Sequence, residues 1–121
     1  MNNVSTEEIG EYLVLLKRIV KDGVVKIKMN REKNSVFAYL YSYDEFAIKN
    51  QLLSLNPDDF EELIISKESK HVGDKLYVWS PSVILTAADG VSSEDKLYIK
   101  THIDEKNRLI VISFHRYNDF S

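Results

Sequence analysis

The sequence predicts an α+β domain in which two N-terminal helices pack on a mostly antiparallel, twisted sheet. Three observations lead there. A stretch with apolar residues at helical spacing opens the chain, a second helix-forming stretch begins near residue 42, and the last third alternates apolar and polar residues around short turns. With 121 residues, four glycines, two prolines and no repeat, low-complexity tract or linker, residues 1–121 read as a single domain with one core.

The first helix lies in STEEIGEYLVLLKRIVKDG, where Ile9, Tyr12, Leu13, Leu16, Ile19 and Val20 share a face. Ser5 and Glu8 have capping-box spacing, acids and bases suit the two ends of the dipole, and Gly23 offers a left-handed stop. VVKIKMN alternates as a half-buried strand, REKN reads as a turn, and SVFAYLYS reads as a strand or an irregular approach to the second helix. That helix starts at Ser42, which has capping-box spacing to Glu45, and runs through YDEFAIKNQLLSL. NPDDFEELI reads as one more short helix, with Asn56 as cap and Pro57 at its first position. Residues 66–74 read as a loop, KLYVWSPSVIL as a strand interrupted at Pro81, and Asp89-Gly90 as a reversal. Two strands around the loop DEKN, Asp104 to Asn107, then form a hairpin.

Composition narrows the chemistry. With no cysteine, disulfides, thiolate-ligated metal and cysteine nucleophiles are excluded. No apolar run is long enough to span a membrane, and the polar, acidic start MNNVSTEEIG does not read as a secretory signal, so a cytoplasmic location is expected. The net charge of −3 argues against a generic nucleic-acid binder, and no DNA binding by this chain alone is expected. The acidity is concentrated between residues 37 and 75, with eight acids against four bases; residues 1–36 carry seven bases and five acids.

The hairpin KLYIKTHIDEKNRLIVISFHRY carries the sharpest signal. If Ile103 faces Arg108, then Leu97, Ile99, Thr101 and Ile103 lie opposite Phe114, Ile112, Ile110 and Arg108 on a core face. Lys96, Tyr98, Lys100 and His102 then oppose His115, Ser113, Val111 and Leu109 on the other face. An antiparallel sheet with one wet side has this pattern without any function. The same residues also put a phenol, a cation and an imidazole within a few ångströms, which are the parts of a metal-free phosphodiester cleavage site.

LYIKTHIDEKNRLIVISFH, with the upstream YVWSPSVIL and the acidic LNPDDFEEL, resembles the MqsR family of toxins from bacterial toxin–antitoxin pairs. The resemblance runs over residues 42–117 in the order of elements, and only the terminal hairpin is specific. It implies a RelE-like fold, a metal-independent endoribonuclease acting on mRNA with no cofactor, and a cognate antitoxin protein as partner. On this resemblance Tyr98, Lys100 and His115 are catalytic. Trp79 matches a family tryptophan, Ser80 stands where the family has glutamine, and Glu62 where it has lysine. In the mechanism expected, a 2′-hydroxyl attacks the phosphate, His115 moves the proton, Tyr98 positions or protonates, Lys100 neutralises the phosphate, and Ser113, Lys96 and Arg116 bind the substrate alongside Trp79 and Ser80. The alternative is a non-enzymatic module on the same fold, phage- or plasmid-encoded, that binds a protein through its sheet surface or acidic middle.

Other constellations carry less. Lys26, Lys28, Arg31 and Lys33 could track an RNA backbone, or simply keep an edge strand soluble. Tyr39, Tyr41, Tyr43 and Trp79 could stack bases, or sit in the core. Asp58, Asp59, Glu61 and Glu62 read as the decorated start of a helix rather than a metal site. Pro57-Asp58 with Glu94-Asp95-Lys96 is a faint match to metal-dependent nucleases, weakened by Glu94 falling in a loop. His71 falls in a polar loop where the sequence names no partner for it, His102 reads as solvated near the hairpin tip, and no GxSxG, HExxH or phosphate-cradling glycine loop is present.

Overall fold

A computed structural model describes residues 4–68 and 71–119. Three helices lie against a mixed six-stranded sheet: α1 (Thr6–Asp22), β1 (Val25–Ile27), α2 (Glu32–Tyr41), α3 (Glu45–Leu53), β2 (Phe60–Ile65), β3 (Lys75–Trp79), β4 (Ser82–Thr86), β5 (Ser92–Ile103) and β6 (Leu109–Arg116). The strand order is β1-β6-β5-β3-β2, with β4 pairing the first half of β5. Among the described residues β1 and β6 run parallel and the other strand pairs antiparallel.

The helix α1 begins where its cap does, with Ser5 Oγ accepting the Glu8 amide at 3.0 Å. The Glu8 carboxylate accepts from the Tyr77 hydroxyl at 2.9 Å, which ties α1 to β3. Burial, and then the neighbouring Glu8 carboxylate, pushes the Tyr77 phenol up to about 12. Gly23 does end the helix, but with φ −114° rather than in the left-handed region. A side chain there would meet the Ile19 backbone at 3.2 Å, so the need for glycine is one of space.

Residues 31–41 depart from the expected turn and strand. Arg31 caps α2, which runs on through the aromatic and β-branched stretch and buries Asn34 and Phe37. Phe37 fits between Tyr41, Tyr43 and Phe114, with ring centroids 5.1 to 5.8 Å away, so packing on β6 overrides the modest helix propensity of this segment. Ser42, expected to start a helix, is the left-handed end of α2 at φ 55°; Asp44 caps α3 instead, accepting the Ala47 amide at 2.8 Å.

Asn56 caps as the sequence suggests, with Asp59 completing a capping box, but the turn it starts is a single 3₁₀ turn, Pro57–Asp59. From Phe60 the chain extends as β2 against β3, so NPDDFEELI is a turn leading into an edge strand rather than a helix. Pro81 separates β3 from β4 as expected, and its carbonyl accepts the Leu97 amide at 3.0 Å.

One core sits between the helices and the sheet. It gathers Leu13, Leu16 and Ile19 of α1, Ile48 and Leu52 of α3, and Trp79, Leu97, Ile99, Leu109, Val111 and Phe114 of the sheet. The hydroxyl of Thr101 is the polar centre of this layer. It is hydrogen-bonded to Tyr12 Oη at 2.8 Å and accepts from Trp79 Nε1 at 3.2 Å. Burial raises the Tyr12 phenol well above its ordinary value.

At the hairpin tip, Asp104 Oδ1 accepts the amides of Lys106 and Arg108, and its Oδ2 meets Arg108 Nη2 at 2.7 Å. The Arg108 contacts hold the Asp104 carboxyl down at about 2. The folded value lies below that of the unfolded chain, so the contribution is full above about pH 4 and is lost as the pH falls toward 2. Asp104→Asn is therefore expected to lower the melting temperature at pH 6 and to match the parent near pH 2, as read in melts across that range.

Candidate functional site

The hairpin pairs with an irregularity the sequence pattern did not show. Near the tip Ile103 faces Leu109 and Thr101 faces Val111, but beyond Ile112 the partners become Lys100 with Ser113, Ile99 with Phe114 and Tyr98 with His115. Ile112 is the extra residue of a bulge. The expected pairs of Tyr98 with Ser113 and Lys100 with Val111 are therefore not formed. Leu109 and Val111, expected on the wet face, lie in the core with no exposure, while Ile110 and Ile112 are half-buried.

On the face away from the core, Lys100, Ser113 and His115 line a groove of about 510 Å³ together with Arg31, Glu32, Lys33 and Asn34. Two elements build it. The bulge presents Ser113 and His115 beside Lys100, and the N-cap and first turn of α2 bring the four polar side chains of Arg31, Glu32, Lys33 and Asn34 across from them. The first turn is held there by Asn34, whose Nδ2 donates to the carbonyls of Lys28 and Ile112 and whose Oδ1 accepts the Phe114 amide, each at 2.9 Å.

The electrostatics follow from this placement. Burial, and then the nearby Arg31 guanidinium, lowers the Lys100 ammonium below its ordinary value, against the opposing pull of Glu68 and Glu62. His115 Nδ1 lies 2.9 Å from the Arg116 carbonyl oxygen, an atom that can only accept. The neutral ring therefore carries its proton on Nδ1 and its lone pair on Nε2. Tyr98 stacks on this ring at 5.5 Å between centroids. Its hydroxyl is buried, and burial followed by Glu62 and Glu61 raises its pKa. Tyr117 sits edge-on to Tyr98 at 5.9 Å and donates to Glu61 Oε2 at 2.8 Å.

Of the eight residues singled out from the sequence, three line this groove: Lys100, Ser113 and His115. Tyr98 lies behind the imidazole. Lys96 is exposed, with its ammonium 5.4 Å from the centre of the Tyr117 ring. Arg116 lies opposite Leu97, where its Nε meets Asp95 Oδ2 at 3.1 Å, away from the groove. Trp79 lies opposite Ile99 on the core face and is fully buried, so it is not placed to stack a base. Ser80 follows β3, its amide bonded to the Asp59 carbonyl at 2.8 Å, and does not line the groove.

The other constellations resolve as follows. Arg31 and Lys33 of the basic stripe reach the groove, whereas Lys26 stays in β1 opposite Ile110. His71 and His102 both approach Asp74 Oδ2, at 3.4 and 3.5 Å. Among the described residues no group of three or more histidine, cysteine or carboxylate side chains is arranged to hold a metal ion. Glu32 and Asn34 are groove residues that sequence reasoning missed, and Asn34 is the one that builds the site. Its partners lie 78 and 80 positions away, and nothing local marks it.

Among the described residues no helix is long and apolar enough to cross a membrane. No protein-family model, curated protein or solved structure matches this chain.

Proposed function

We propose that this protein is a toxin-type endoribonuclease, of RelE- or MqsR-like fold, that cleaves RNA without a metal in the groove between β5, β6 and the start of α2. The observation that carries the reading is the convergence of Lys100, Ser113 and His115 with Arg31 and Lys33 on one groove. Cations, a hydroxyl and an imidazole across from each other are suited to a phosphodiester and its developing phosphorane charge.

In this reading His115 Nε2 removes the proton of the 2′-hydroxyl, whose oxygen attacks the adjacent phosphorus. The bond from phosphorus to the 5′-oxygen breaks, leaving a 2′,3′-cyclic phosphate. The lowered pKa of Lys100 fits it to give a proton to the departing 5′-oxygen. Arg31 and Lys33 hold flanking phosphates, and Ser113 bonds a non-bridging oxygen. Tyr98 supports the imidazole ring from behind instead of touching substrate. A cognate antitoxin would neutralise the activity by covering the groove.

Incubation of the purified chain with single-stranded RNA in EDTA tests this. Fragments ending in cyclic phosphate are expected, with a rate reduced roughly 100-fold in Lys100→Ala. RNA left intact by the folded parent would end the reading.

One observation favours the non-enzymatic alternative. A hollow of about 480 Å³ between the end of α2 and the β4–β5 turn is lined by Tyr39, Leu40, Tyr41, Ala87, Ala88 and Asp89. Tyr39 is 85% exposed. An apolar surface of this kind suits a protein partner, and binding there would be independent of His115.

A further inference from the structure

The start of α2 is chemically open. Its N-cap is Arg31, which gives the first turn no side-chain hydrogen bond, and the amide of Glu32, first in the helix, has no protein acceptor among the described residues. A helix of ten residues gathers partial positive charge at this end. The end lies in the groove, since Arg31, Glu32, Lys33 and Asn34 all line it.

Water would satisfy a helix N-terminus standing alone, but the side chain across from it points to a ligand. Ser113 lies opposite Lys100 on the groove face and is only 3% exposed, yet its hydroxyl has no hydrogen-bond partner among the described residues. A hydroxyl buried this far normally has a partner, so one left open toward a groove is directed at what the groove receives. The cations agree. Arg31 lies close enough to Lys100 for the guanidinium to lower the ammonium, and neither forms an ion pair among the described residues. Two like charges held together in this way are relieved by an anion between them. Arg31, Lys33 and Lys100 face only one carboxylate in the groove lining, that of Glu32.

We propose that the open N-terminus of α2 and the Ser113 hydroxyl form an oxyanion site for one phosphate group: the Glu32 amide and Ser113 Oγ donate to its non-bridging oxygens, with the Lys100 ammonium against it and Arg31 flanking. This deepens the ribonuclease reading, and rests on it, only in making that group the scissile phosphate of RNA. Inorganic phosphate binds the same donors in the absence of RNA.

Titration of the chain with inorganic phosphate, followed by amide NMR, is the test. Saturable shifts at Glu32 and Ser113 are expected. Ser113→Ala removes no side-chain hydrogen bond among the described residues, so it should melt like the parent and bind phosphate roughly 10-fold more weakly. Glu32→Pro isolates the amide. Proline is favoured at the first helical position, and Arg31, at φ −85° and ψ 125°, already has the backbone of a residue before proline, so the helix stays while the donor goes. Glu32→Ala loses the same carboxylate and keeps the donor, and should bind phosphate roughly 10-fold more tightly than Glu32→Pro. Equal affinities for these two variants, or for the parent and Ser113→Ala, overturn the proposal, as do shifts scattered over exposed lysines. Phosphate bound at these donors in a chain that never cleaves RNA keeps the site and ends only the ribonuclease reading; RNA cleavage with no phosphate shift at Glu32 does the reverse.

Discussion

Replacing His115 with glutamine is expected to slow RNA cleavage by about 10²- to 10⁴-fold while leaving a folded chain, the usual range for loss of a general base. Glutamine is close in size and can still reach the Arg116 carbonyl, but it has no basic nitrogen to take a proton from a 2′-hydroxyl. The ring stack on Tyr98 is lost, so a small drop in melting temperature accompanies the change. Single-turnover cleavage and a thermal melt of the same sample separate the two effects. Equal rates for parent and variant would remove His115 from the chemistry.

The second large effect is on stability. Trp79→Ala should destabilise the chain by about 3–5 kcal/mol, because the indole is fully buried and a cavity would replace it. It packs near Tyr12 at 5.9 Å and Phe60 at 5.5 Å between ring centroids, and its Nε1 donates to Thr101. Losing the indole thus also strips one partner from the polar centre that joins α1 to β5. A melting temperature lower by roughly 10–20 °C is expected for a domain of this size. A base-stacking tryptophan would behave in the opposite way, leaving the melt unchanged and weakening RNA binding.

The parts of the fold that were legible in the sequence are those whose determinants are local. The Ser5 cap and the apolar face of α1, the Asn56 cap, the break at Pro81 and the existence of the terminal hairpin all depend on residues within a few positions of one another. What was misread depends on distant contacts. α2 carries aromatic and β-branched residues that suit a strand as well as a helix, and Phe37 becomes helical because it packs on Phe114. After Asp59 the acidic, helix-like FEELI extends because β3 offers it a partner.

The candidate site divides in the same way. Lys100, Ser113 and His115 share a face in either register, since two-residue periodicity survives a slip of two. Their partners across the strands could not be read, because Leu109 to Ile112 give no contrast between inward and outward positions. Trp79 was assigned by resemblance to substrate, while its alternation with Tyr77 places it on the core face. REKN, which reads as a turn, forms the start of α2, and only tertiary packing sets it opposite His115.

The most direct test of the groove is NMR mapping of a short single-stranded RNA carrying a 2′-deoxy nucleotide at the cleavage position, so that it binds without reacting. Shifts concentrated at Arg31, Lys33, Lys100, Ser113 and His115, weakening steeply with added salt, are the predicted result. Shifts confined to Tyr39, Leu40 and the β4–β5 turn, or none at all with RNA in large excess, would contradict it.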